Sequence, residues 1–210
     1  LVSPQKVQSI LKKLRILYPG AECELHHKNN FELLVATILS AQCTDVRVNM
    51  ITPVLFKTAP TPERMLKLGL PKLEQAIKTC GLYQSKAKNI LGTCRALVEK
   101  HGSKVPKNLE ALTALPGVGR KTAGVVLANA FGVPALPVDT HVFRVSQRLG
   151  LAKAKTPEQV ERQLTQVIPK KDWIDAHHLL IFHGRNLCRA RNPLCETCPL
   201  AQTCLYYSSR

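Results

Sequence analysis

Four of the eight cysteines crowd the C-terminal end as Cys188-(x6)-Cys195-(x2)-Cys198-(x5)-Cys204, and this ending constrains the fold more than any other feature. The stretch has little hydrophobic content of its own, so a small lobe there has to be organised around a metal centre. Disulfides would need an oxidising compartment, for which nothing in the sequence speaks. Spacing leaves zinc and an iron–sulfur cluster both open. Structural zinc sites favour two close pairs, whereas only one Cys-x2-Cys pair is present, which tilts the reading slightly toward iron–sulfur. The first loop carries Arg189 and Arg191 on a backbone pinned at both ends, which would present cations to a phosphate strand; a solvated loop accounts for them equally. The remaining cysteines, Cys23, Cys43, Cys80 and Cys94, lie among apolar residues and read as small core or subsurface residues.

Upstream of that ending, helical periodicity dominates. Val7, Ile10, Leu11, Leu14 and Leu17 fall on one stripe, and residues 31–40 are apolar nearly all round, as a central buried helix would be. Thr61-Pro62-Glu63 and Thr156-Pro157-Glu158 each read as an N-cap, a first-turn proline and an acid at the positive helix end. Further helices are expected over 71–79, 84–100, 107–114, 120–131, 140–149 and 172–184. No Asn-Gly or Asp-Gly hairpin separates alternating runs, so the chain is expected to be all-α. Val133-Pro134-Ala135-Leu136-Pro137 cannot be regular helix and reads as a crossing between two helical lobes, which suits a chain of 210 residues.

Charge narrows the class of partner. Thirty Lys and Arg against fourteen Asp and Glu leave a formal charge of +16, and a chain this basic meets a polyanion. Aromatic residues are only 5%, too few for a stacking platform, so double-stranded DNA gripped through its phosphates fits better than a single strand. No apolar run is long enough to span a bilayer and no signal pattern opens the sequence. Met50 and Met65 are the only methionines, so Leu1 is not expected to be the translational start.

Residues 115–125, LPGVGRKTAGV, place two glycines and a proline in a sharp turn ahead of a helix that opens with two cations. Cations at a helix N-terminus oppose its dipole, which favours anions. The conflict resolves if an anion is bound there: amides at a tight turn and a helix start make a site for one phosphate. Gly117, Val118 and Gly119 would supply that turn, and Arg120 would add its charge. Taken by itself, Lys121 reads as a solvent-facing residue, and Asp139 as the N-cap of the helix starting near Thr140.

The combination resembles the endonuclease III family of DNA repair glycosylases. Four blocks carry the resemblance in order: Leu39 to Asp45 (LSAQCTD), Gly81-Leu82-Tyr83, Leu115 to Ala123, and Val138 to Val142 (VDTHV), closed by the cysteine ending. It implies a helix-hairpin-helix at about 107–131 and two helical lobes with a DNA-binding cleft between them. Residues 23–134 would form a six-helix lobe. Residues 1–22 and 135–210 would form the lobe carrying a 4Fe-4S cluster on Cys188, Cys195, Cys198 and Cys204. The resemblance implies a monomer acting on double-stranded DNA with damaged pyrimidines or abasic sites, in a bacterial-type cytoplasm at the nucleoid.

It also assigns roles. Lys121 would be the nucleophile and Asp139 its acidic partner. Breaking an N-glycosidic bond builds positive charge on the sugar, which a carboxylate stabilises, and a neutral amine then captures C1′ as a Schiff base that permits β-elimination. Burial and neighbouring cations would favour the neutral amine, while Asp139 opposes it. The worth of Asp139 therefore lies in taking the proton or supporting the sugar cation. A base inside a duplex has to be flipped out and the hole filled, for which Gln42 and Leu82 match the family's wedge positions. Thr140 and His141 would neighbour the site, His141 as a supporting hydrogen-bonding group.

Three rivals remain at this level. Adenine-mismatch glycosylases lack the lysine of the Gly-Arg-Lys block and carry a further C-terminal domain, which is not expected after Arg210. A pyrimidine-dimer glycosylase shares the fold. A non-catalytic metal-stabilised DNA-binding module would have no need of Asp139 beside Lys121.

Overall fold

The computed structural model describes residues 2–209, so the expected lobe ends at Leu1 and Arg210 lie outside the described residues. Among the described residues there is no strand. The described residues form twelve α-helices: α1 Pro4–Leu17, α2 Asn30–Ser40, α3 Asp45–Thr58, α4 Pro62–Leu68, α5 Leu70–Ala76, α6 Tyr83–His101, α7 Leu109–Thr113, α8 Arg120–Phe131, α9 Thr140–Leu149, α10 Pro157–Val167, α11 Trp173–Asn186 and α12 Leu205–Ser208. No helix is long and apolar enough to cross a membrane. Two compact units result, one made of Glu24–Val133 and the other of the residues up to Cys23 together with those from Pro134 onward.

Local chemistry explains most of the helix starts. Ser3, Asn29, Thr44, Thr61, Asn108, Asp139 and Thr156 each accept a first-turn backbone N–H through a side-chain oxygen. Each such cap is worth about 1 kcal/mol. Pro62 and Pro157 occupy first-turn positions, where a missing N–H costs nothing.

In the unit Glu24–Val133, α2 is the hub, with every residue from Phe31 to Leu39 buried. Helices α3, α6 and α8 pack on it, and α4 and α5 lie on α6. The reading from sequence named no helix over α3. Pro53 sits inside it, removing one N–H from the ladder, and Val46, Met50 and Val54 form an exposed apolar row opposite the core-facing Val48, Thr52, Leu55 and Phe56. That double stripe hides the 3.6-residue signal. Helix α5 ends at Ala76, short of the expected 79, and α7 begins only after its cap Asn108, not at 107.

The other unit is built on α11, against which α1 and α9 pack. Val7, Ile10, Leu11 and Leu14 of α1 join a core with Val142, Val145 and Leu149 of α9, Val160 and Leu164 of α10, and Leu179 and Leu180 of α11. Arg15 fastens α1 by bridging Asp172 at 2.9 Å and Asp175 at 2.7 Å. The short α12, absent from the sequence reading, lies on α9.

Candidate active site

The turn between α7 and α8 is clamped to α6. Thr93 Oγ1 donates to the Pro116 carbonyl at 2.7 Å. A β-carbon on Gly92 would stand 3.0 Å from Pro116 Cγ, and one on Gly117 would stand 2.7 Å from Asn89 Cβ. Gly117 has φ 75, in the left-handed region where glycine alone is unstrained. Three residues spaced along one face of α6 therefore fix the turn.

Val118 behaves differently from the sequence expectation. Its side chain is buried and its N–H closes the turn on the Leu115 carbonyl at 3.1 Å, so its amide is already committed. What stays open is the start of α8: Gly119 is its N-cap and no side chain caps it. First-turn N–H groups have no intrahelical acceptor, so this uncapped end suits an anion. Arg120 and Lys121 are both exposed on that turn. The burial expected around Lys121 is not provided by the chain's own packing.

Asp139 caps α9. Its Oδ1 accepts the Val142 N–H at 2.8 Å, which fixes one carboxylate oxygen. Immediately upstream, the Pro137 carbonyl accepts the Nδ1–H of buried His177 at 2.8 Å, tying the approach segment to α11. Thr140 is exposed. His141 packs against α11, where a β-carbon on Gly184 would stand 3.0 Å from its Nδ1, and the same nitrogen lies 3.2 Å from Arg144 Nη2. Burial first holds His141 below the ordinary histidine range against the opposing pull of Asp139, and the Arg144 and Arg185 cations add to the lowering. His141 is thus a half-buried ring packed behind the turn.

Gln42 and Leu82 are exposed and close in space, the backbone at Gly81 approaching so near that a β-carbon there would stand 3.2 Å from the Gln42 carbonyl oxygen. Both are non-glycine residues in the left-handed region, φ 51 for Gln42 and φ 57 for Leu82. Strain of this kind costs about 1–3 kcal/mol per residue and collects at functional sites. Leu82 keeps 60% of its surface in solvent, an unusual position for a leucine. Behind the pair, Lys86 is only 4% exposed and its Nζ donates to the Leu39 carbonyl at 2.8 Å, satisfying the C-terminal end of α2.

The four C-terminal cysteines line one pocket, walled by Leu149, Leu187, Leu194, Tyr206 and Tyr207. Among the described residues no three His, Cys, Asp or Glu side chains are gathered for a single metal ion. Four thiols around one shared pocket offer the all-sulfur donor set that a 4Fe-4S cluster takes. Burial is the main reason that Cys198 is pushed above the ordinary thiol range, with Cys204, Cys188 and Cys195 adding to it. His183 Nε2 lies 3.7 Å from Cys198 Sγ, and its Nδ1 lies 3.2 Å from the Tyr18 hydroxyl.

Two arginines that the sequence did not single out hold the loop ahead of this pocket. Arg144 Nε donates to the Cys188 carbonyl at 3.1 Å and its Nη2 to the Gly184 carbonyl at 2.9 Å. Arg148 donates to the Arg189 carbonyl at 2.6 Å and the Ala190 carbonyl at 3.2 Å, while stacking 4.4 Å from the Tyr206 ring centre. The loop is therefore held at its start, and Arg189 and Arg191 are exposed on it. The i, i+4 spacing of Arg144 and Arg148 was visible in the sequence; the loop they would grip was not.

Comparison with known proteins gives a consistent picture. The family described as "HhH-GPD superfamily base excision DNA repair protein" matches residues 35–170, and "Iron-sulfur binding domain of endonuclease III" matches residues 188–204. Endonuclease III of Rickettsia conorii is 53% identical over 90% of this chain and 90% of its own length. Endonuclease III of Escherichia coli K12 is 51% identical over 94% of this chain and 93% of its own. The solved structure of a trapped endonuclease III–DNA covalent intermediate, an estranged-adenine complex, superposes with a TM-score of 0.95 at 45% identity, covering 100% of this chain and 99% of that one.

Proposed function

Because the chain belongs to the endonuclease III family of base excision DNA repair proteins, we propose that it excises oxidised pyrimidines from double-stranded DNA and cleaves the strand 3′ to the abasic site by β-elimination. As a family member it is a DNA glycosylase with AP-lyase activity, and its cofactor is a 4Fe-4S cluster. A related endonuclease III trapped in a covalent intermediate with DNA supports a covalent route for this chain as well.

The observation that carries the reading is Lys121, exposed on the first turn of an uncapped helix. Its amine attacks C1′ of the flipped nucleotide and the base leaves, giving a Schiff base from which β-elimination expels the 3′ phosphate. The phosphate beside the lesion docks at the start of α8, with Gly117 and Gly119 shaping the approach and Arg120 adding charge. Bound DNA covers the amine that the protein leaves open and keeps water from it. Asp139 takes the proton or stabilises the sugar cation, using a carboxylate whose direction its capping bond fixes.

Gln42 and Leu82 enter the space the flipped base vacates, Leu82 as the apolar wedge. Thr140 lies at the start of α9 beside Asp139, while His141 acts from behind by packing that turn. Cys188, Cys195, Cys198 and Cys204 hold the cluster, which when bound supplies a one-electron redox centre and ties the loop of Arg189 and Arg191 into place.

The test is borohydride trapping on duplexes carrying a panel of lesions. Oxidised pyrimidines and abasic sites should give a covalent complex, and Lys121→Gln should give none. A complex that persists in Lys121→Gln removes the nucleophile. Trapping confined to pyrimidine dimers or mismatches would replace the substrate.

A further inference from the structure

Two cysteines outside the machinery described above face each other at the base of the Gln42 and Leu82 tips. Cys43 Sγ stands 3.6 Å from Cys80 Sγ, and both are free thiols. Cys43 directly follows Gln42, and Cys80 precedes Leu82 by two residues, so a link between them would join the two tips at their roots. Their backbones are anchored, the Cys43 N–H donating to the Ser40 carbonyl at 3.1 Å and the Cys80 N–H to the Ile77 carbonyl at 2.8 Å.

The two sulfurs are not equivalent. Cys80 is buried, whereas Cys43 is half-buried and open to a small solute. Burial, and after it the hydrogen bond with Cys43, push the Cys80 thiol up to about 11, while the Lys86 and Arg47 charges nearby act in the opposite sense. Cys80 is thus a protected thiol held against a reachable one. Sulfurs at this separation need to close by only about 1.5 Å to reach a disulfide bond length.

We propose that Cys43 and Cys80 form a redox couple in which a hydroperoxide oxidises Cys43 and Cys80 then closes a disulfide across the two tips. In the first step the Cys43 sulfur attacks the peroxide: an S–O bond forms, the O–O bond breaks, and the distal oxygen leaves as water or an alcohol once protonated. In the second, the Cys80 sulfur attacks the resulting sulfenic acid. An S–S bond forms, the S–O bond breaks, and hydroxide departs with the Cys80 proton as water. Two thiols lose two electrons and two protons, and the peroxide is reduced. The consequence for DNA rests on the reading of Gln42 and Leu82 as the wedge: joined at their roots, the tips lose freedom to enter the duplex.

The experiment uses reduced, cluster-loaded protein treated with hydrogen peroxide, with the cluster absorbance followed throughout. Peptide mapping should find Cys43 and Cys80 linked, lighter by two hydrogens and restored by dithiothreitol. The link should be absent in Cys43→Ser and, as a second variant with no new polar group in the core, in Cys80→Ala. Cys43 advancing to sulfinic acid while Cys80 stays free overturns the couple. Oxidised wild type should bind lesion duplex more weakly than reduced wild type, with no such difference in Cys43→Ser. A linked protein with undiminished binding leaves the couple standing and overturns the wedge.

Discussion

Gly117 lies so close against Asn89 that a β-carbon at 117 would stand 2.7 Å from Asn89 Cβ. The left-handed φ of 75 and this contact both demand glycine. Gly117→Ala should lower unfolding stability by about 2 kcal/mol or more, the sum of backbone strain and overpacking. Urea unfolding checks it, and Asn89→Gly should recover part of the loss, because it removes the opposing carbon.

Asp139 has two separable duties. Asparagine also caps helices, so Asp139→Asn should keep stability close to wild type while base excision falls steeply. Asp139→Ala should lose excision and, in addition, about 1 kcal/mol from the missing cap. Single-turnover rates beside thermal unfolding distinguish the two. Equal stability losses in both variants would mean that the cap needs the carboxylate's charge and that an amide Oδ1 does not replace it.

Leu82 is strained and exposed at once, a combination that packing alone does not reward. Leu82→Gly should relieve the left-handed backbone and stabilise the chain by up to about 1 kcal/mol. The same change should slow excision from duplex DNA, because the wedge is gone, and spare single-stranded abasic substrate. Increased stability with lowered duplex activity is the expected signature.

Phosphate contacts make affinity fall with salt along a straight log–log line. Arg189→Gln and Arg191→Gln should each reduce the magnitude of that slope by up to about one. Arg148→Ala should weaken binding through the loop it holds at the Arg189 and Ala190 carbonyls. Titrations across a salt series separate these effects.

His178 is buried, and desolvation holds it below the ordinary value of 6.5, against the opposing pull of Asp175 and Glu22. The unfolded chain therefore takes up its proton first. Stability from this group is intact above about 6.5 and is lost as the pH falls toward the folded value, so the slope of stability against pH is positive in that window. Denaturant midpoints between pH 7 and 5 should show that slope, and His178→Gln should reduce it, leaving the parts that His183 and His141 contribute with the same sign.

Helix starts were legible because a cap is written within four residues: Thr61, Thr156 and Asp139 announce their helices by local chemistry alone. Helix α3 was not, because its apolar residues divide between a core face and a solvent face, and only packing tells them apart. Nothing local in the sequence singles out Lys86, Arg144 or Arg148. Their acceptors are backbone carbonyls 40 to 47 residues distant in the chain, and no local pattern encodes such a partner.

By itself, then, the sequence determined the all-helical class, the basic character suited to DNA, the cysteine spacing and the turn ahead of Lys121, since each depends on neighbours along the chain. Only the tertiary structure decided that the Val118 amide is already used, that Lys121 is exposed, that His141 packs inward, and that Gln42 and Leu82 stand together on strained backbone with two thiols beneath them. Those outcomes depend on which surfaces meet when distant segments bury their apolar faces, and that competition is resolved by packing the whole core rather than by any one stretch.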